Sequence, residues 1–349
     1  MLKIAFIGAG SAVFTKNLVL DILAYPELRE CEISLMDIDA ERLGQVKALV
    51  DKVTAVLNLT GVRVTATADR REALRAAKYV ITTFRQGGLE ACELDVDVPA
   101  RFGLSQCMGD IVGPGGVFRG LRSVPVLLGT CRDMEELCPD AWLLNYVNPM
   151  AILTRAVYDH SPVKVAGICH SVVGTTRQLA GYLGVPFDEI TYHVAGLNHM
   201  AWFLKLERRG VDLYPELRRR LDDPAVVAKD PVRFEILRQF GAFVTESSYH
   251  FSEYVPYFRK DPQVIEQIKA PTKLGAQWVR NGWANQKRYV ADLLAGKVSV
   301  TERHSGEYAA DIIHSLETNT PRRANLNVRN DALITNLPPG ACVEVPCLL

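Results

Sequence analysis

The sequence predicts an α/β chain: a doubly wound parallel sheet covered by helices on both faces, followed by a second, α+β domain. Three observations carry this. Through the first half, short and almost wholly apolar runs alternate with longer amphipathic ones, the mark of parallel strands buried on both faces. The first of these runs ends in a glycine turn that opens a helix, "FIGAGSAVF". Past about residue 190 the βαβ beat stops and a two-residue, antiparallel-strand rhythm replaces it. A length of 349 residues also exceeds what one hydrophobic core usually supports. We therefore expect a first domain over residues 1–194 and a second over residues 195–349.

The elements follow in order. "KIAFIGAG" is a strand with its turn, and "TKNLVLDILAYPEL" has helical spacing. "CEISLMDID" is the second strand, and "AERLGQVKALVDKVTAVLNL" is the helix after it. "VRVTATAD", "AKYVITTF", "AWLLNYVN" and "VKVAGICH" supply four more strands, with helical stretches between them. In the second domain, "ITYHVAGLNHMAWFLKLERRG" reads as antiparallel strands. Helical stretches with Tyr, Trp and Arg come next, and the chain closes on a Pro-rich end without a closing helix, "NLPPGACVEVPCLL".

Composition narrows the function classes. An apolar fraction of 48% and a charged fraction of 23% suit a water-soluble globular protein. Lys+Arg 40 against Asp+Glu 40 leaves no net charge, which argues against a nucleic-acid or membrane-surface partner. The densest basic run, "LRRRL" at 217–221, is bracketed by Glu216 and Asp222 and reads as a solvated helix face. No apolar run approaches the ~20 residues of a membrane helix, and the opening residues read as a strand, not a leader. Eight cysteines stand without pairing rhythm, as expected of reduced thiols in a cytoplasmic protein.

The glycine turn has the physics of a phosphate cradle. Gly8 permits the tight turn, and Gly10 lets the backbone approach a pyrophosphate. Helix N–H groups then face the phosphates, and Ser11 adds a hydroxyl. The third position of the G-x-G-x-x-G/A pattern is Val13, so the match is partial. Asp37, at the end of the second strand, is placed to accept from both ribose hydroxyls. A carboxylate there repels a 2′-phosphate and favours NAD over NADP. The alternative is a structural turn with a strand-end Asp.

In an open α/β sheet, ligands bind outside the carboxyl ends of the strands. Three consecutive strand tips carry polar groups: Arg85 with Gly87 and Gly88, Asn145 with Asn148 and Pro149, and Cys169 with His170 and Ser171. Asn148 before Pro149 matches an Asn-Pro that lactate- and malate-type dehydrogenases place near the nicotinamide; it is equally a common turn initiator. Cys169 and, further on, His199 could share one divalent metal with positions left open for substrate oxygens. As single residues, each is as readily a buried core group.

Taken together the motifs carry a family likeness. "GAGS" at 8–11, "MDID" at 36–39, "GPGG" at 113–116, "VNPM" at 147–150, "CHSV" at 169–172, "GLNHMAW" at 196–202 and "NLPPGACVEVP" at 336–346 occur in that order. They resemble glycoside hydrolase family 4, the NAD- and metal-dependent glycosidases, over essentially the whole chain. "CHSV" is similar to the α-galactosidase (melibiase-type) version, whereas α-glucosidases of the family tend to carry Asp where this chain has His170. The resemblance implies a redox route to hydrolysis: oxidation at sugar C3 by NAD, removal of the C2 proton, elimination of the glycosidic oxygen, water addition and re-reduction. It implies Cys169 and His199 as metal ligands, Asn148 and His170 as sugar contacts, and Gly8, Gly10, Ser11, Asp37 and Arg85 around NAD. Tyr254 in "YHFSEYVPYF" is the implied base, with Tyr249 and Tyr257 as rivals, and His170 the implied acid. The implied metal is Mn²⁺, although a thiolate and an imidazole suit Co²⁺ or Ni²⁺ on softness grounds. By the same analogy the chain is expected to form a homodimer or homotetramer and to lack the family's C-terminal helices. α-Galacturonides and α-glucosides are alternative substrates. A 2-hydroxy-acid dehydrogenase and a non-catalytic NAD-binding protein are alternative functions.

Overall fold

Six short apolar segments build the parallel half of the sheet in the computed structural model, which describes residues 1–300 and 305–349. They are β1 (Leu2–Ile7), β2 (Cys31–Met36), β3 (Arg63–Thr67), β4 (Tyr79–Thr82), β5 (Trp142–Asn145) and β6 (Lys164–Ile168). All six strands expected from the sequence are present. Their spatial order is β3-β2-β1-β4-β5-β6, and every neighbouring pair is parallel. The chain crosses from one half of this sheet to the other between β1 and β4. There the connections diverge, and a crevice opens beyond the strands' carboxyl ends. Both faces are covered. Ile4, Phe6, Ile33 and Leu35 pack into one buried cluster, and Ala5, Ile7, Val80 and Leu143 into another on the opposite face. Each such side chain contributes roughly 1.5–3 kcal/mol when fully buried.

The second half continues the same sheet. β7 (Ile190–Leu197) and β8 (Met200–Arg208) form an antiparallel hairpin, extended by β9 (Val211–Asp212) and β10 (Phe243–Val244). Residue 194 lies inside β7, beside a bulge between His193 and Val194. β11 (Arg323–Arg329) and β12 (Cys342–Leu348) insert between β6 and β7, giving the order β10-β8-β7-β12-β11-β6. The Pro-rich end, in which the sequence showed no closing helix, therefore ends in a strand. β12 meets β7 only at Glu344↔Gly196, and Pro346 falls outside that pairing, where its missing N–H interrupts nothing on that side. Glu344 also stands opposite Asn327 of β11. It thus lies between the strand that ends at Cys169 and the hairpin that carries His199. No helix among the described residues is long and apolar enough to cross a membrane.

One buried ion pair holds the second-half helices in place. Arg233 and Asp230, both buried, pair on the helix Pro231–Phe240 and its cap. Arg233 also donates to Thr175 Oγ1 at 3.0 Å and Gln178 Oε1 at 2.5 Å on the helix after β6. Asp230 accepts from the hydroxyl of Ser248, at the start of the helix Ser248–Tyr254. Replacing Asp230 by Ala leaves a buried guanidinium without its countercharge. The expected loss is about 3–5 kcal/mol of folding stability, read from urea unfolding.

Candidate active site

The glycine turn lies on the wall of a cleft of about 1130 Å³ that opens at the β1/β4 divergence, lined by Gly10, Ser11, Asp37, Arg85, Asn148 and Trp283 among others. That is ample volume for a dinucleotide-sized ligand. Gly8 adopts φ +90°, and a Cβ there would sit 2.5 Å from the Phe84 backbone nitrogen, so only glycine fits. The amides of Gly8 and Ala9 both donate to the Met36 carbonyl at 2.9 Å, which ties the turn to the end of β2. Gly10 N–H donates to Asp37 Oδ2 at 2.7 Å, and Asp39 N–H donates to Asp37 Oδ1 at 2.9 Å. Each carboxylate oxygen retains a further lone pair for a hydroxyl. Ser11 precedes the helix Ala12–Ala24, and its side chain makes no capping bond, so the hydroxyl is available to a ligand.

Cys169 and His199 come together although 30 residues separate them: Sγ lies 3.3 Å from Nε2. Cys169 follows β6, and Ser171 N–H reaches its sulfur at 3.5 Å. His199 is the second residue of the two-residue turn between β7 and β8, with φ +61°. A non-glycine residue held there is uncommon and marks a constrained position. Gly196 makes the turn possible, since a Cβ on it would lie 2.8 Å from Ala201 Cα. Metal–sulfur and metal–nitrogen bonds of about 2.3 and 2.1 Å, meeting at tetrahedral to right angles, require an S···N separation of about 3.1–3.6 Å. The observed pair fits. Among the described residues no group of three or more His, Cys, Asp or Glu side chains is arranged to hold a metal. The pair would leave coordination positions open, as a catalytic site requires.

The electrostatics of the pair would suit a cation. Burial pushes the Cys169 thiol up to about 11, and the Glu246 charge adds to it. A thiol of that pKa is a neutral, poor ligand at pH 7 until a divalent ion compensates it. Several buried oxygens nearby in the sequence motifs have no hydrogen-bond partner among the described residues: Asn148 Oδ1, Ser171 Oγ, Asn198 Oδ1 and Glu344 Oε1. A buried unpartnered polar atom is costly. A polyhydroxylated or metal-bearing ligand is the kind of group that would satisfy them.

The other expected residues fall into different settings. His170 is largely exposed at the tip of β6, with Nδ1 3.5 Å from Glu307 Oε1. Arg85 lines the cleft, but its guanidinium contacts Asp110 Oδ2 and Cys92 Sγ, each at 3.2 Å. Asn145 is spent on structure, accepting from Thr82 and donating to the Val147 carbonyl. Tyr254 is buried, and its hydroxyl lies 3.4 Å from His199 Nδ1, the ring nitrogen away from Cys169. Burial first, then the charges of Glu246, Asp110 and Glu253, push its phenol well above the ordinary value. Tyr249 and Tyr257 are both substantially exposed.

Three carboxylates had no signal in the sequence. Glu246 Oε2 is 3.1 Å from His199 Nε2, and Oε1 is 3.2 Å from His250 Nδ1. Its backbone is also left-handed, φ +72°. Burial pushes its carboxyl up, but His199 and His250 outweigh that and hold it below the usual carboxylate range. Asp110 is shared by Arg119 at 2.6 Å and Arg85. Glu253 accepts the backbone N–H groups of Cys107, Met108 and Gly109, which anchors the segment leading to Asp110. The left-handed turn at Gly8 yields a direct test. Gly8→Ala is expected to raise the Kd for a dinucleotide at least about tenfold, measured by isothermal titration.

Comparison with known proteins places this geometry in a family. Residues 3–185 match the model for family 4 glycosyl hydrolases, and residues 194–349 match that for the C-terminal domain of family 4 glycosyl hydrolases. An α-galactosidase of Bacillus subtilis (strain 168) is 42% identical over 352 residues, covering 100% of this chain and 81% of that protein. An α-galacturonidase of the same organism is 31% identical, covering 98% and 80%. A 6-phospho-α-glucosidase from gut microorganisms, solved in complex with NAD and Mn²⁺, superposes with a TM-score of 0.80 at 22% identity, covering 100% of this chain and 82% of that one. A malate dehydrogenase from Salinibacter ruber shares the fold with a TM-score of 0.56 at 16% identity, covering 100% and 86%. Matched along both halves and 42% identical to a curated relative, the chain belongs to the family 4 glycosyl hydrolases.

Proposed function

We propose that the chain is an NAD- and divalent-metal-dependent glycosidase that hydrolyses α-galactosides by oxidation at sugar C3, elimination, water addition and re-reduction. The observation that carries this reading is the 3.3 Å approach of Cys169 Sγ to His199 Nε2, at the tip of the strand next to the one whose Asn148 lines a cleft with a glycine turn that suits a dinucleotide. When bound, NAD supplies the hydride acceptor and donor, and a metal such as Mn²⁺ supplies a Lewis acid for the sugar oxygens. Gly8, Gly10, Ser11 and Asp37 would hold the dinucleotide. Cys169 and His199 would hold the metal.

The chain's own residues divide the remaining work. Asn148 Oδ1, unpartnered among the described residues, accepts from a sugar hydroxyl. His170, exposed at the tip of β6, donates a proton to the departing oxygen. The tautomer of His199 that frees Nε2 carries its proton on Nδ1 and donates it to the Tyr254 oxygen, which fixes the ring. Tyr254 was the base implied by the family likeness, but a base must be deprotonated beforehand and face the reacting side. Glu246 meets both conditions: it lies at the Nε2 edge of His199, and a glutamate's ordinary pKa of about 4.3 leaves it ionised at pH 7. We assign proton abstraction to Glu246 and ring positioning to Tyr254.

The sugar is read as neutral. A galacturonate or a 6-phosphate needs a cation at its anionic group. The cations on the cleft wall are already paired: Arg85 and Arg119 with Asp110, Arg42 with Asp39, Arg70 with Asp133 and Lys287 with Glu41. The 42% identity to an α-galactosidase, against 31% to an α-galacturonidase, points the same way.

The test is release of p-nitrophenol from its α-galactoside with NAD⁺, Mn²⁺ and reductant each present or omitted. Activity is expected to need all three, to produce no net NADH and to vanish in Cys169→Ser. Activity without NAD⁺ overturns the mechanism, and turnover of the matching galacturonide alone overturns the substrate. Glu246→Gln is expected to lower kcat at least about 100-fold. Tyr254→Phe should instead weaken Mn²⁺ binding about 10–100-fold with a smaller effect on kcat. The opposite split returns the base role to Tyr254.

A further inference from the structure

The helix Leu274–Leu294 belongs to the second half of the chain, yet one of its faces walls the cleft that opens over the glycine turn. Val279, Trp283, Gln286 and Val290 line that cleft, and they recur at the steps of three and four residues that mark one face of a helix. Exposed ion pairs dock the helix on both banks. Lys287 meets Glu41 on the helix Ala40–Val56, which follows β2, and Arg280 meets Glu93 on the helix Gly88–Arg101, which follows β4.

Trp283 itself reaches both banks. The Arg42 guanidinium lies over its ring, 4.5 Å from the centroid. On the other bank, a Cβ on Gly88 would lie 3.7 Å from Trp283 Cη2. Arg42 in turn stands beside Asp37, since a Cβ on Gly10 would lie 2.6 Å from Asp37 Oδ2 and 3.2 Å from Arg42 Cβ. Its Nε pairs with Asp39 at 3.2 Å, so the guanidinium is held from two directions. Asp37 is the carboxylate placed for the adenosine ribose, and the base attached to that ribose lies beyond it, at the end of β2. The side chains that meet the cleft there are Ile38, 85% exposed, and the Arg42–Trp283 pair.

Charge and shape select the occupant of this end. Its two cations, Arg42 and Lys287, are paired with Asp39 and Glu41, which leaves little attraction for a phosphate. An aliphatic side chain, an indole and a flat guanidinium offer instead apolar and π surface to a neutral planar ring. At 4.5 Å the guanidinium and the indole are already in contact, so a base adds to their stack from the cleft and does not enter between them.

We propose that Trp283, carried in from the second half of the chain, is the stacking plate for the cofactor's adenine, with Arg42 as its support. The inference rests on the reading of this cleft as the NAD site. It makes the cofactor a bridge between the two halves: the glycine turn holds the phosphates, and the helix Leu274–Leu294 holds the base.

Isothermal titration with NAD⁺ and with ADP-ribose, which keeps the adenosine half and lacks nicotinamide, tests it. Thermal melting of the unliganded variants is the control for folding. Trp283→Ala is expected to raise the Kd for both ligands by the same factor, at least about tenfold, as loss of a base–aromatic stack does. Trp283→Phe keeps a stacking ring and is expected to stay within about threefold of wild type. NAD⁺ should quench tryptophan emission in the wild-type chain, and that quench should largely vanish in Trp283→Phe although the ligand still binds. Unchanged NAD⁺ affinity in Trp283→Ala, alongside the loss in Gly8→Ala, overturns the inference and leaves the dinucleotide reading standing. So does a loss confined to NAD⁺ and absent for ADP-ribose, or one that Trp283→Phe does not recover. A wild-type chain that binds neither ligand overturns the cofactor reading itself, and this inference with it.

Discussion

The approach of a buried thiol to a buried imidazole organises this molecule. Cys169 and His199 belong to a strand tip and a hairpin turn that are not neighbours in the sheet, since β11 and β12 lie between their strands. Bringing them within 3.3 Å has visible costs. His199 is held at φ +61° and Glu246 at φ +72°, and Gly196 is needed to let the hairpin close. Strain of this kind costs on the order of 1–3 kcal/mol per residue and persists only where the surroundings impose it. The surroundings here are the buried Arg233–Asp230 pair, the Glu253 clasp on residues 107–109, and the sheet itself.

Electrostatics gives that arrangement its purpose. Without a cation the thiol is neutral, because burial and the Glu246 charge both raise its pKa. Glu344 pushes in the same direction: fully buried, its carboxylate accepts from Asn198 at 3.4 Å, and its carboxyl is raised well above the usual range by burial first and by Cys169 next. A pocket of acceptors with so little positive charge is costly while empty and favourable once a divalent ion and sugar hydroxyls enter. The cations lining the cleft do not relieve it, since Asp110 already takes Arg85 and Arg119, and Arg42, Arg70 and Lys287 pair with Asp39, Asp133 and Glu41. On the proposed reading, the same balance favours a divalent ion and disfavours an anionic sugar.

Much of the architecture was legible in the sequence because parallel strands announce themselves. "KIAFI", "EISLM" and "YVIT" are apolar throughout, and the glycine turn after the first could be read as a phosphate cradle from Gly8 and Gly10 alone. The sixth strand led directly to Cys169. Its pairing with His199 could not be derived from spacing, because 30 residues and two inserted strands intervene; the order of motifs along the chain suggested it. The last strand was hidden by Pro338, Pro339 and Pro346, which signal irregular chain, although only Pro346 lies within β12. Glu246, Asp110 and Glu253 were silent for a different reason. Each is an ordinary carboxylate in an ordinary run, and only the tertiary fold brings it against a histidine, an arginine or a row of backbone amides.

The measurement closest to the centre of this account is optical. Co²⁺ added to the reduced protein should produce a sulfur-to-cobalt charge-transfer band in the near ultraviolet, because a thiolate bound to Co²⁺ absorbs there and carboxylate or imidazole ligands do not. The account expects that band in the wild-type chain, saturating at one ion per chain, and expects it to disappear in Cys169→Ser and to weaken sharply in His199→Ala. Cobalt binding with no thiolate band, or a band that survives Cys169→Ser, would contradict the claim that these two side chains form the metal centre.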